Sequence, residues 1–271
     1  VSSQTGSGKT AAFLLPSLQR LMEPSPVQGS GPRVLVLAPT RELAQQVEKA
    51  ARTYGRDLRR LRTAILVGGA PYGPQLKQLS QPVDVIVATP GRLMDHLERG
   101  RVDFSRLEVL VLDEADRMLD MGFIDDIETI VAKTPESRQT LMFSATLDGV
   151  VGKLAKKLTR DAQRIEVAAA KADKPQIEQR LHFTDDHQHK SRLLEHWLRG
   201  TEVNQAVVFT ATKRSAEELS DSLRDQGFLV DALHGDMPQN KRNRTIQRLR
   251  HDVGQEAGRQ RGVLRRFQHD R

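Results

Sequence analysis

Two short runs in this 271-residue chain carry residue types suited to phosphate chemistry. The first is VSSQTGSGKT at positions 1–10, which meets the pattern G-x-x-x-x-G-K-[ST] from its second glycine onward, with Ser3 where the generic pattern has Gly. Gly6, Ser7 and Gly8 form a loop whose backbone can come close to a ligand, so that amide N–H groups face phosphate oxygens. Lys9 can set a cation on the β/γ-phosphates of a nucleotide, and the Thr10 hydroxyl can ligate Mg²⁺. The following TAAFLLPSLQRL predicts a helix whose N-terminus favours an anion. A glycine-rich turn without a ligand is the competing reading, and the helix directly behind the lysine argues against it.

The second run is VLVLDEAD at 109–116. A buried strand ending in two acids puts Asp113 where it can hold Mg²⁺ through water, and lets Glu114 orient and deprotonate an attacking water. Alone, an acidic strand end is more often a solvated loop or a helix cap. Paired with the Lys9 loop about a hundred residues earlier, it reads as the second half of a P-loop nucleotide site.

The elements that must position these residues are short apolar runs separated by amphipathic stretches. The runs are RVLVLAPT (33–40), TAILVGG (63–69), VDVIVATP (83–90), LEVLVLDEAD (107–116), QTLMFSAT (139–146) and QRIEV (163–167). Continuous Val/Leu/Ile runs alternating with helices predict strands buried on both faces, hence a parallel α/β sheet. In such sheets ligands bind outside the carboxyl ends of the strands, and the polar signatures PTREL, GG, TPGR, DEAD and SAT each follow a run directly. AAAKADKPQ (168–176) reads as an interdomain linker. A second alternation follows, with strands in EQRLHFTD, QAVVFTAT and FLVDALHGD and helices between them, and Trp197 is expected in the core of its helix. Beyond residue 250 neither period is visible.

Forty-two Lys and Arg against 35 Asp and Glu give a net charge of +7, which weakly favours a polyanionic partner. Residues 247–271 alone hold seven Arg and three acids, so much of the excess lies in the least patterned segment. The absence of Cys excludes disulfides and thiolate metal sites. No apolar run approaches the roughly 20 residues of a membrane span and no signal peptide is visible, so the default expectation is a cytoplasmic protein without a membrane partner.

The ordered set QTGSGKT, PTRELA, Gly68–Gly69, TPGR, DEAD, SAT, VVFTAT and HGDMPQNKR resembles the DEAD-box ATP-dependent RNA helicases of bacterial type, from residue 1 to about 250. The resemblance implies a P-loop RecA-like parallel sheet domain at 1–167 and an incomplete second RecA-like, helicase C-terminal domain at 177–250. It also implies ATP and Mg²⁺ as cofactors and single-stranded or duplex RNA as partner. By the same resemblance Ser144 and Thr146 couple the nucleotide site to RNA by bonding towards Asp116. Thr40, Arg41, Gly69, Thr89, Gly91 and Arg92 contact the sugar–phosphate backbone, with Thr210, Gly235 and Arg242 along the same track in the second domain. Hydroxyls, glycine amides and arginines read phosphates without reading sequence, and an aromatic content of 4% does not favour base stacking.

Three departures from the family pattern shape the expectation for this chain. Most of the strand before the P-loop and the upstream glutamine motif are missing, and nothing after residue 250 resembles the fifth motif or the arginine-bearing sixth. The chain therefore reads as a fragment truncated at both ends, with 251–271 a non-matching basic tail of frameshift character, and as unable to unwind RNA alone. A non-catalytic RNA-binding module and a DNA helicase of the same superfamily are the alternatives.

Overall fold

Valine alternates with leucine in two strands of the first sheet and with isoleucine and alanine in a third, and that alternation sorts the two faces. The strands are β1 (Val34–Leu37), β2 (Thr63–Leu66), β3 (Val85–Ala88), β4 (Val109–Leu112) and β5 (Gln139–Met142). They pair in parallel in the order β2-β3-β1-β4-β5. Successive side chains point to opposite faces. Leu35, Leu37, Ile86, Ala88, Leu110 and Leu112 therefore enter one core layer, and Val34, Val36, Val85, Val87, Val109 and Val111 the other. The computed structural model describes residues 1–2, 7–29, 31–147, 149–167, 178–200, 203, 205–251 and 261–265. The expected linker 168–176 lies outside them.

Helices cover both faces, as buried parallel strands require. On the valine face lie α1 (Lys9–Met22) and α2 (Arg41–Tyr54), which contribute Phe13, Leu14, Ala44, Val47 and Ala51. Helix α3 (Tyr72–Leu79) flanks the edge strand β2, whose Ile65 N–H donates to Gln78 Oε1 at 3.0 Å. On the leucine face α4 (Pro90–Glu98), α5 (Ala115–Asp120), α6 (Ile124–Ala132) and α7 (Gly149–Leu158) supply Leu93, Met118, Ile127, Ile130, Val151 and Leu154.

The run QRIEV, expected as a strand, forms only an isolated bridge between Glu166 and Ser2. Ser2 also bridges Ser144, and the Val1 amino group donates to Met142 O at 2.7 Å. Residues 1–2 thus lie between the end of β5 and residues 165–167 (Ser2 N to Ile165 O 2.9 Å, Val167 N to Ser2 O 3.0 Å), the place a strand leading into the P-loop takes in this topology.

The chain divides into two compact units, Val1–Ala172 and Asp173–Arg271. The second contains α8 (His187–Leu198), β6 (Gln205–Val208), α9 (Lys213–Asp225), β7 (Leu229–Leu233), α10 (Gln239–His251) and β8 (Arg261–Arg265). Its parallel sheet runs β6-β8-β7 around a small core of Leu198, Leu223, Phe228 and Val230. Two expectations are corrected here. EQRLHFTD is not a strand, and its Leu181 and Phe183 are exposed; conversely RGVLR, within the segment read as patternless, is the central strand of the sheet. Arginines at both ends of a five-residue strand hide its apolar pattern from a periodicity reading. Trp197 is not a core residue either: it is 38% exposed, with Arg180 stacked 5.1 Å from its ring centroid.

Among the described residues the most buried ion pair ties the lower edge of the first sheet to α1. Arg33 precedes β1 and Glu108 precedes β4, and they meet through Nε–Oε1 at 2.6 Å and Nη2–Oε2 at 3.1 Å. Arg33 also donates to Glu23 O at 2.7 Å and Arg20 O at 3.1 Å, closing the end of α1. Burial pushes the Glu108 carboxyl up, but hydrogen bonds from Arg33 and Ser25 and the Arg33 charge outweigh it and hold the carboxyl below its ordinary 4.5. A depressed folded value means that the pair's contribution is present above pH 4.5 and is lost as pH falls through the lowered value. Glu108→Ala should lower the unfolding free energy at neutral pH by about 3–5 kcal/mol, because it strands a buried guanidinium. Arg33→Met/Glu108→Leu should recover most of that loss in urea denaturation; an equal loss in the double variant would contradict this account.

Candidate functional site

The carboxyl ends of the five strands form one row, since Leu66, Ala88, Leu37, Leu112 and Met142 are register partners in turn. Every polar signature therefore leaves the sheet at the same edge. The sheet order reverses at β1, where α2 leads away to β2 on one side while β4 lies on the other. Such a switch point leaves an open crevice above the strand ends.

Of the phosphate loop, Ser7, Gly8, Lys9 and Thr10 are described; Gly6 lies outside the described residues. Gly8 is the N-cap of α1 with φ 83°, a left-handed value, while a Cβ there would meet nothing within 4 Å. Backbone conformation, not space, selects glycine. No side chain caps α1 among the described residues and its first turn has no acid, so its leading N–H groups can serve an anion.

Asp113 is held by its own N–H, which donates to Leu37 O at 3.0 Å. Its residue is 3% exposed, and Oδ1 is buried with no hydrogen-bond partner among the described residues. Burial first, then the neighbouring Glu114 charge, raise this carboxyl to about 6, although Lys9 pulls the other way. A buried carboxylate oxygen with this deficit, together with the Thr10 hydroxyl, is a hard-oxygen set that fits Mg²⁺.

Glu114 sits at φ 52°, ψ 52°, a left-handed conformation that is uncommon for a residue with a side chain. Arg117 approaches its carboxylate, Nη1–Oε2 3.4 Å. Ala115 N donates to Phe143 O at 3.0 Å and Ala145 N donates to Asp116 Oδ2 at 3.1 Å, so the DEAD turn is bonded to the SAT turn. The bond from the SAT turn to Asp116 is thus made by the backbone of Ala145, where the resemblance implied Ser144 and Thr146. Ser144 is buried and its Oγ has no partner among the described residues; Thr146 is exposed.

A second group gathers around the turn after β2. Thr40 caps α2, its hydroxyl accepting from Leu43 N at 3.3 Å. Arg41 lies across Gly68 and Gly69: a Cβ on Gly69, whose φ is 67°, would fall 2.1 Å from Arg41 Nη1. Arg92 reaches the same turn from α4, donating through Nη1 to Ala70 O at 3.3 Å, and is steadied by Asp95 at 3.5 Å. Thr89, the N-cap of α4, donates from its N–H to Leu66 O at 3.0 Å, and Gly91 is exposed two residues further on. The structure therefore brings Arg41, Gly69 and Arg92 together although 51 residues separate the two arginines.

In the second unit Arg242 Nη1 donates to His234 O at 3.3 Å, next to Gly235. Thr210, just past β6, donates to Thr212 O at 3.1 Å. Three residues that the sequence reading passed over stand beside the arginines of the first unit. They are Tyr72, Gln75 and His96, of which His96 and Tyr72 stack with ring centroids 4.5 Å apart. The available signal was the polar His96 on the apolar stripe of α4 beside Leu93 and Leu97.

Among the described residues no helix is long and apolar enough to cross a membrane. Residues 188–264 match the helicase conserved C-terminal domain, a stretch that runs through most of β8 and corrects the expectation that nothing after residue 250 belongs to the pattern. The ATP-dependent RNA helicase DeaD of Escherichia coli (strain K12) is 42% identical over 248 residues, which are 92% of this chain and 39% of that protein. DeaD of Mycobacterium tuberculosis (strain ATCC 25618 / H37Rv) is 43% identical over 251 residues, 92% of this chain and 43% of its own length. The chain thus spans about two fifths of these relatives. Among solved structures, S. cerevisiae Dbp5 bound to RNA and ADP BeF3 is similar with a TM-score of 0.77 and 28% identity, over 97% of this chain and 64% of that one. A DEAD box protein from the hyperthermophile Methanococcus jannaschii gives a TM-score of 0.56 and 33% identity, over 98% of this chain and 68% of that one. Residues 1–154 match the DEAD/DEAH box helicase family, which is more than half of the chain, and the chain belongs to that family.

Proposed function

We propose that this chain carries the ATP- and RNA-binding machinery of an ATP-dependent RNA helicase. The observation that carries the reading is Asp113: a buried carboxylate oxygen without a partner, at a strand end in the crevice that Lys9 and the start of α1 also face. In this reading Lys9 and the leading N–H groups of α1 hold the nucleotide phosphates, and Thr10 and Asp113 hold Mg²⁺. Mg²⁺ held there would supply positive charge to offset that of the phosphates. Glu114 orients the attacking water and accepts its proton on the carboxylate. Arg41, Arg92 and the amides at Gly69 and Gly91 grip RNA phosphates. The bond from Ala145 N to Asp116 links the nucleotide side to the SAT turn. The names of the DeaD relatives and the RNA in the Dbp5 complex support RNA over DNA, and competition between RNA and DNA strands for binding tests that choice.

Lys9→Ala should abolish Mg²⁺-dependent binding of a fluorescent ATP analogue. Glu114→Gln should bind it as wild type, yet slow hydrolysis by about 10²-fold or more in a form of the protein that turns ATP over. Equal hydrolysis by wild type and Glu114→Gln would remove Glu114 from the base role.

Affinity for Mg²⁺–nucleotide should rise as pH goes up through about 6, because the ionised Asp113 holds the cation. The raised folded value also means that the stabilisation tied to Asp113 is full below 3.8 and lost as pH rises through about 6. Asp113→Asn should therefore raise the melting temperature of the ligand-free chain at pH 7 while weakening Mg²⁺–nucleotide binding and flattening its pH profile.

Arg41→Ala, Arg92→Ala and Arg242→Ala should each weaken single-stranded RNA binding to a similar degree across RNA sequences. Each should also reduce the slope of log affinity against log salt by about one contact. A change in sequence preference with an unchanged slope for Arg92→Ala would mean that it reads bases.

A further inference from the structure

The stretch from Val67 to Pro71 belongs to no strand or helix, yet two of the arginines above meet it. Its carbonyls are instead collected by one buried side chain. Gln75, 4% exposed, donates from Nε2 to Val67 O at 3.1 Å, Pro71 O at 3.3 Å and Ala70 O at 3.5 Å. Three carbonyl oxygens around one amide end settle its orientation, since the opposite flip would set oxygen against oxygen. The other end, Oε1, must then accept, and it lies 3.2 Å from Nε2 of the fully buried His96. His96 consequently carries its proton on Nε2 and donates to Gln75. Tyr72 stacks on the His96 ring at 13° between planes, and Arg92 and Arg99 lie 5.3 and 5.5 Å from the Tyr72 ring centroid. A chain of contacts therefore runs from His96 through Gln75 to the turn, and Ala70 O at its end receives Arg92 as well.

We propose that Gln75 and His96 are positioning residues for RNA binding: His96 fixes the amide of Gln75, and Gln75 holds the 67–71 turn in the shape that aims Gly69, Arg41 and Arg92 at the RNA backbone. This rests on the RNA-binding role given to those three residues. Both ends of the device lie on the RNA side of the sheet edge, away from Lys9 and Asp113, so its loss separates RNA binding from nucleotide binding. A residue that merely supported the fold would lower both together.

The test uses the full chain, polyuridylate as the RNA probe and a fluorescent ATP analogue. His96→Phe keeps a ring against Tyr72 and removes only the N–H; Gln75→Leu removes the whole clamp. Each should weaken RNA binding about tenfold, the loss expected when the binding-competent shape of the turn falls to about a tenth of the population, with a reduced salt slope. Nucleotide affinity should stay close to wild type for His96→Phe, while the melting temperature falls modestly because Gln75 Oε1 loses its donor. The double variant should bind RNA no more weakly than Gln75→Leu alone, because the histidine acts through the glutamine. Unchanged RNA affinity in His96→Phe and Gln75→Leu, while Arg41→Ala and Arg92→Ala weaken it, overturns this proposal and leaves the RNA-binding reading standing. Parallel loss of nucleotide affinity, or failure of His96→Phe to fold, also overturns it, by making the pair structural. If the arginine variants themselves bind RNA as wild type, the RNA-binding reading fails and takes this one with it.

Discussion

In-register parallel pairing is the constraint on which the first unit depends. Its strands are only four residues each, but Val faces one helical layer and Leu the other, so a slip of one residue would exchange the two sets. The register also extends one rung beyond the strand ends. Thr89 N donates to Leu66 O, Ala38 N to Ala88 O, Asp113 N to Leu37 O and Phe143 N to Leu112 O, at 2.8–3.0 Å. The first residue after each of these strands is therefore held as firmly as the strand itself. That is how a site assembled from loops keeps its positions: Asp113 and Thr89 are loop residues by type and sheet residues by hydrogen bonding.

Strand β4 carries a buried acid at each end, treated in opposite ways. Glu108, just before it, is matched by a bidentate arginine and a serine hydroxyl, and its carboxyl is held low. Asp113, just after it, keeps an oxygen without a partner and is driven up to about 6. The first arrangement serves stability; the second gives stability up, the pattern in which perturbed carboxylates mark a candidate functional site. The left-handed backbone of Glu114 next to it adds local strain at the same point.

The second unit is built on a thinner basis. Among the described residues its core is a handful of side chains, and β6 is half-exposed along its length, with Val207 and the following Phe209 exposed. Polar contacts do much of the ordering: Thr212 and Ser215 form a capping box on α9, Lys213 pairs with Asp236 at 2.6 Å, and His234 meets Glu217 at 2.9 Å. The loop after β7 is thereby tied back to α9, which positions Gly235 and the carbonyl that Arg242 reaches.

Taken by itself, the sequence determined the parallel α/β class, the five runs that become the strands from Val34 to Met142, and the acids and glycines that end them. Continuous apolar runs and the polar turns that follow them are local signals, and local signals survive without a structure. It misjudged QRIEV, EQRLHFTD and RGVLR, because those segments are short or flanked by charge and their state depends on a neighbouring strand. Only the tertiary structure decided that Ala145's backbone meets Asp116, and that Arg41 and Arg92 converge on one turn. It alone revealed that Gln75 and His96 hold that turn from inside. These are contacts between residues far apart in the chain, made by backbone amides or by side chains whose type is ordinary. No residue identity announces them; they exist because the pairing of β1, β2 and β3 places three loops at one edge.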